Sequence, residues 1–196
     1  MAHYNLTAPL SEDDVRQLKV RDTVTVNGTI FGIRDATQIR VFDQKQEPPV
    51  DLSGAICLHT APSLRKVGDK WEKVCIGTTT STRMERFTPP LIEKYGVRAI
   101  VGKAGLLEGS LEAMKRFGAC YLAIVGGAAA LETTQIEAVE KVYWEDLHPE
   151  AIYQFRVKDV GPLIVAMDSH SSHIYFDVKK TAIEKLPEIY KKLGID

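Results

Sequence analysis

Between residues 89 and 125 the sequence twice runs from a helix start, through a glycine stop, into a short apolar strand. This rhythm limits the fold more than any other stretch. Pro89-Pro90 opens a helix that reaches Tyr95, and Gly96 ends it. Proline suits the first helical turn, where its missing amide has no partner to lose, and glycine readily adopts the left-handed backbone that closes a helix. Residues 97–101 follow as an apolar strand, and then the pattern recurs: a helix over 107–117, Gly118 as its stop, a strand over 119–125. Helices and strands in alternation bury their apolar faces against one another in layers, so the expected class is α/β with a mixed sheet.

The flanking sequence supplies further elements. Ser11 and Asp14 form an N-terminal capping pair for a short helix, with Leu10 and Val15 spaced as a hydrophobic staple. Residues 23–31 alternate β-branched and polar side chains, which predicts a strand with one buried face, ending at Gly32-Ile33-Arg34-Asp35. A weak helical pattern over 36–46 is stopped by Pro48-Pro49. Strands are expected over 55–59, 73–76, 139–144, 152–157, 163–167 and 174–178, with a turn at Gly68-Asp69 and a terminal helix over 180–193. No repeat, low-complexity tract or linker divides the 196 residues, so one domain spanning 1–196 is expected.

Charge and cysteine content narrow the function. With 25 basic against 26 acidic residues, nothing advertises nucleic acid or an anionic membrane as a partner; a small molecule or another protein fits better. No segment approaches the roughly 20 apolar residues of a membrane span, and the N-terminal stretch lacks the pattern of a secretory signal. Cys57, Cys75 and Cys120 are odd in number and match neither a disulfide framework nor a cluster-binding run, implying a reducing cytoplasm and a chain that by itself holds no iron–sulfur cluster or other metal.

Residues 78–83, Thr-Thr-Thr-Ser-Thr-Arg, form the most unusual segment: four threonines and a serine exceed what a turn requires. Between a strand and a proline-initiated helix, amides and hydroxyls can converge on an anion beside the Arg83 guanidinium. Lys103 lies at the end of the 97–101 strand, where α/β sheets place ligand groups, and can pair with a carboxylate or lower the pKa of a neighbouring hydroxyl. Arg34-Asp35 reads, on composition alone, as an exposed turn. Gly126-Gly127 matches no phosphate-binding motif, and close helix packing is its expected use. His170 and His173 are read as a turn with one or two exposed imidazoles rather than a metal pair, and His3, His59 and His148 form no cluster.

Thr79-Thr80-Ser81-Thr82-Arg83-Met84 resembles the Thr-Thr-Ser/Ala-Gly-Arg-Met motif of class I fumarases and L-tartrate dehydratase β subunits. Arg34-Asp35-Ala36, Gly102-Lys103, the Gly-Gly-Ala-Ala-Ala-Leu run ending at Leu131, and 165–169 stand in that family's order, so the resemblance covers about residues 10–175. It implies a swivelling β/β/α domain that closes over a [4Fe–4S] cluster carried by a separate α subunit, in an α2β2 assembly acting on a small dicarboxylate. The reaction implied is reversible hydration of fumarate to malate, or dehydration of tartrate or a related hydroxy-dicarboxylate; a silent binding module of the same fold is the alternative. By the same resemblance Thr79 is the base that removes the C3 proton, Lys103 assists it, and Arg34, Arg83, Thr80 and Gln38 bind substrate. The sequence departs from the family at Thr37-Gln38, where Ala-His is common, at Thr78, where Pro is usual, and at Thr82, where Gly is usual. Gln38 can hydrogen-bond but cannot titrate.

Overall fold

A computed structural model describes residues 1–125, 127 and 129–195. The strands are β1 (His3–Ala8), β2 (Thr23–Ile33), β3 (Ile56–His59), β4 (Ser63–Val67), β5 (Lys70–Cys75), β6 (Ala99–Gly102), β7 (Cys120–Ala123), β8 (Ile136–Tyr143) and β9 (Ile152–Met167). The α-helices are α1 (Glu12–Arg16), α2 (Asp35–Phe42), α3 (Thr88–Tyr95), α4 (Glu108–Phe117), α5 (Ala129–Gln135) and α6 (Ile174–Leu193); Ser81–Phe87 and Glu145–Glu150 are 3-10 helices.

The expected mixed sheet is present, with seven strands in the order β1-β2-β3-β6-β7-β9-β8, and β4 and β5 form a separate hairpin. Strands β1, β2, β3, β6 and β7 run parallel, and β9 is antiparallel to β2, β7 and β8. Because β9 also pairs with β2, strands β2, β3, β6, β7 and β9 close into a ring. Side chains alternate across it. Val26, Ile30, Ile56, Leu58, Val101, Phe155 and Leu163 fill the interior, whereas Cys57, Ile100 and Tyr121 face outward under Leu91 and Ile92 of α3 and Met114 of α4. Each large side chain buried this way contributes roughly 1.5–3 kcal/mol.

Local signals account for most boundaries. Ser11 and Asp14 make the reciprocal capping box, with Leu10 and Val15 buried in one cluster. Gly96 and Gly118 close α3 and α4 in the left-handed conformation.

Several expectations are corrected. The 152–157 and 163–167 strands are one strand, because Val160 in the intervening Lys-Asp-Val-Gly-Pro segment is buried and pairs with Val26. The predicted 174–178 strand is the first turn of α6: Ile174, Val178, Ala182, Leu186, Ile189 and Leu193 make one helical stripe, and its continuity overrides the short alternation of Ile174, Phe176 and Val178. Only the first half of the hydroxyl segment is irregular, since Ser81 already begins a 3-10 helix. The 170–173 turn exposes one of its two imidazoles and buries the other: the His173 ring stacks on Phe176 at 3.7 Å and its Nε2 meets the Leu106 carbonyl at 2.9 Å. His170 is exposed, with Nε2 2.8 Å from the Arg16 carbonyl. Gly126 and Ala128 of the expected packing run lie outside the described residues.

Candidate functional site

Parallel strands deliver their C-terminal ends to one edge of the ring, which is where α/β sheets collect ligand groups. Arg34 follows β2, His59 ends β3, and Lys103 follows β6. The hydroxyl segment is laid between the last two. Thr78 bridges Thr60, and Thr80 bridges Lys103 in parallel. The Thr79 amide donates to the His59 carbonyl at 2.8 Å, and the Ser81 amide to the Lys103 carbonyl at 2.9 Å. Backbone bonds on both sides thus fix a run of side chains that has no apolar face to anchor it.

The 3-10 turn from Ser81 then brings Arg83 back over the segment. Its Nη2 donates to Thr79 Oγ1 at 3.1 Å and to Asp35 Oδ2 at 3.1 Å, and its Nε to Asp35 Oδ1 at 3.4 Å. Arg34 Nε donates to Asp35 Oδ2 at 3.1 Å and lies 3.5 Å from Glu150 Oε1. Asp35 therefore bridges both guanidiniums. Burial pushes its carboxyl pKa up, but the hydrogen bonds from Arg83 and Arg34 outweigh this and hold it below the usual value. Glu150 supports the arrangement by accepting from the Ala36 amide at 2.7 Å at the start of α2.

A buried relay lies beneath. His59 Nδ1 is 2.9 Å from Ser81 Oγ, Tyr121 donates to the same oxygen at 3.0 Å, and the Gly105 amide donates to the Tyr121 hydroxyl at 3.3 Å. Gly102 has to lack a side chain here: a Cβ would sit 2.0 Å from Ser81 Oγ. Burial drives the His59 pKa down to about 3, so the ring is neutral, and its Nε2 has no partner among the described residues.

The structure thus gathers Arg34, Thr79 and Arg83 into one hydrogen-bonded cluster, with Thr80 and Lys103 joined beside it. The Lys103 ammonium forms no ion pair among the described residues. Gln38 is placed differently: it is 1% exposed, with Nε2 3.5 Å from the Arg34 carbonyl, so it supports the arginine from the interior. Asp35, His59 and Glu150 were not identified from the sequence. Asp35 carried the one available signal, adjacency to Arg34, but its contact with Arg83 spans 48 positions.

A [4Fe–4S] center does not fit this chain's own thiols. Cys57 and Cys120 are buried in separate clusters, with burial pushing both up to about 12, and Cys75 is exposed on β5. No cluster of potential metal ligands occurs among the described residues, and no described helix is long and apolar enough to cross a membrane.

Known proteins resemble this sequence. The fumarase C-terminus family model matches residues 1–178. The L(+)-tartrate dehydratase subunit beta of Escherichia coli strain K12 is 38% identical over 96% of this chain and 94% of its own length. A provisionally named L(+)-tartrate dehydratase subunit beta of Methanocaldococcus jannaschii is 40% identical over 92% and 95%. A provisionally named class I fumarate hydratase of Geobacillus stearothermophilus is 40% identical over 93% of this chain but only 35% of its own length. The chain therefore belongs to the fumarase C-terminus family, that of the class I fumarate hydratase and L(+)-tartrate dehydratase β-subunit hydro-lyases.

Proposed function

We propose that this chain is the β subunit of a hydro-lyase that hydrates fumarate reversibly to malate and closes, as a swivelling domain, on a cluster-bearing α subunit in an α2β2 assembly. The observation that carries this reading is the 3.1 Å hydrogen bond from Arg83 to Thr79 Oγ1, beside a second arginine bridged through Asp35. A proton next to a carboxylate is a very weak acid, so its removal needs a strong base and cations around the charge that develops. A neutral threonine hydroxyl is too weak. Arg83 donating to Oγ1, with Arg34 and Lys103 nearby, favours the alkoxide, which takes the C3 proton while the C–H electron pair moves into the adjoining carboxylate. Arg83 and Arg34 are placed to fork the substrate carboxylates, with Thr80 and Lys103 completing the polar surface and Gln38 fixing the Arg34 backbone.

The [4Fe–4S] cluster belongs to the α subunit and supplies a Lewis acid for the departing hydroxyl when bound. Free thiols fit a reducing cytoplasm, and the ring of strands supports treating 1–196 as one domain. L-tartrate is the second substrate reading, favoured by the near-complete length match to tartrate dehydratase β subunits.

The test is anaerobic co-purification with the α subunit, cluster reconstitution, and assay on malate and L-tartrate with wild type and Thr79→Ala. Wild-type turnover should fall roughly 10²–10⁴-fold in the variant, the range expected for losing a positioned base, while the unfolding midpoint stays close to wild type because Thr79 is only half-buried. Undiminished turnover in Thr79→Ala would overturn the assignment. Activity on L-tartrate alone would move the substrate and keep the base. An intact complex with no turnover on either acid favours a silent binding module.

A further inference from the structure

One carboxyl lies inside the ring of strands without any hydrogen bond. Glu132, on α5, is 3% exposed, and neither of its oxygens has a partner among the described residues. The Thr78 amide is directed toward it without closing a bond of normal geometry. The cavity it enters is lined by Val26, Ile30, Leu58, Val101, Ile136 and Leu163, with a volume near 10 Å³, room for one water at most. A bare carboxyl in such surroundings is costly unless a charge or a proton compensates it.

The helix that carries Glu132 is tied to the site. The Ile76 amide donates to Thr133 Oγ1 at 2.8 Å, which pins α5 two positions before the hydroxyl segment begins. The strands that line the cavity present aliphatic side chains, Lys73 of β5 spends its ammonium on the Ile136 carbonyl, and Lys103 is the cation whose field reaches the carboxyl. Among the described residues Lys103 is also the site cation without an ion pair, whereas Arg34 and Arg83 share Asp35.

We propose that Glu132 is a positioning residue of this site: its carboxyl, buried in the ring interior, is the counter-charge to Lys103 and sets how far the ammonium leans toward the hydroxyl segment. This rests on reading Lys103 as a substrate-side cation. Burial raises the Glu132 pKa, with Lys103 opposing, to about 7, so the counter-charge switches on and off near neutral pH. Ionised, Glu132 draws the ammonium inward; protonated, it releases it toward an incoming carboxylate.

The experiment is a pH titration by NMR of the full chain carrying ¹³C at the glutamate side-chain carboxyls. One resonance should titrate near neutral pH and be absent in Glu132→Gln. In Lys103→Met its midpoint should rise by about half a unit or more, because the cation favouring the charged form is gone. In Lys103→Arg, which keeps the charge and guards against misfolding, the midpoint should stay near the wild-type value. A midpoint unmoved by Lys103→Met, or one at the ordinary glutamate value, would overturn the pairing. The readout needs no turnover, so the two readings fail separately. If Lys103→Met abolishes activity in the reconstituted complex but leaves Glu132 unmoved, the site reading stands and this inference falls. If it moves Glu132 but spares activity, the pairing stands and Lys103 leaves the site.

Discussion

His59 and Glu132 are both buried, and their titrations oppose each other in the pH dependence of stability. His59 has an ordinary value of 6.5 and about 3 in the fold. Below 6.5 the unfolded chain takes up a proton that the folded chain refuses, so stability present above 6.5 is lost progressively down to about 3. Glu132 goes from 4.5 to about 7. The folded chain binds its proton first, so its stabilisation is complete below 4.5 and vanishes as pH rises through 7. Between about pH 7.5 and about pH 5, linkage gives a loss of about 2 kcal/mol from His59 and a gain of about 2 kcal/mol from Glu132. The two nearly cancel.

Glu132→Gln should uncover the histidine. Going from about pH 7.5 to about pH 5, the variant should lose about 2 kcal/mol more unfolding free energy than wild type. His59→Asn, whose amide takes the place of Nδ1 facing Ser81, should do the reverse and gain about 2 kcal/mol relative to wild type. Urea unfolding at the two pH values measures both, and carboxylates common to all three chains cancel in the differences. If Glu132→Gln and wild type lose the same amount, burial does not hold the carboxyl neutral and the reasoning fails.

Other consequences follow from the same contacts. Asp35→Asn should lower kcat about tenfold or more and leave KM nearly unchanged, because the guanidiniums keep their charge but Arg83 loses the group that aims it at Thr79; a rise in KM alone would contradict this. Ser81→Ala strips a partner from both His59 and Tyr121 and should cost about 2–4 kcal/mol by urea unfolding. Gly102→Ala should cost about 1–3 kcal/mol through its clash with Ser81 Oγ, and Gly102→Ala/Ser81→Gly less than the two single changes together; strict additivity would rule the clash out. Calorimetry of dicarboxylate binding to the complex near neutral pH, in buffers of different ionisation heat, should reveal proton uptake that is lost in Glu132→Gln.

The layered fold was legible because its signals are local. Pro89-Pro90 with Gly96, and Gly118 after a periodic run, act within a few residues. Ring closure was not, because it depends on β9 pairing with β2 across more than a hundred positions and on Val160 continuing a strand through a sequence that looks like a turn. The site divided in the same way. Thr79, Arg83 and Lys103 stand out by composition and resemblance, but nothing local marks His59 or Glu132. Their roles come from what surrounds them: Ser81 sits 22 positions from His59, and the cavity around Glu132 is assembled from five strands.

The charges at the strand ends connect these observations. Arg34, Arg83 and Lys103 face Asp35, Glu150 and Glu132, so with every acid ionised the cluster is neutral before any substrate arrives. Asp35 cannot easily yield, since the arginines hold it ionised, while Glu150 is engaged at the start of α2 through the Ala36 amide. A dianion entering this neutral cluster places two negative charges in a partly desolvated site, and the least costly relief is a proton on the one carboxyl already poised near neutrality. On the proposed reading, that proton also removes the inward pull on Lys103 when the ammonium is needed outside. The buried acid is then more than a tolerated flaw in the ring interior. It lets a cluster whose arginines are already bridged by Asp35 accept a doubly charged ligand without displacing the carboxylate that aims Arg83 at Thr79.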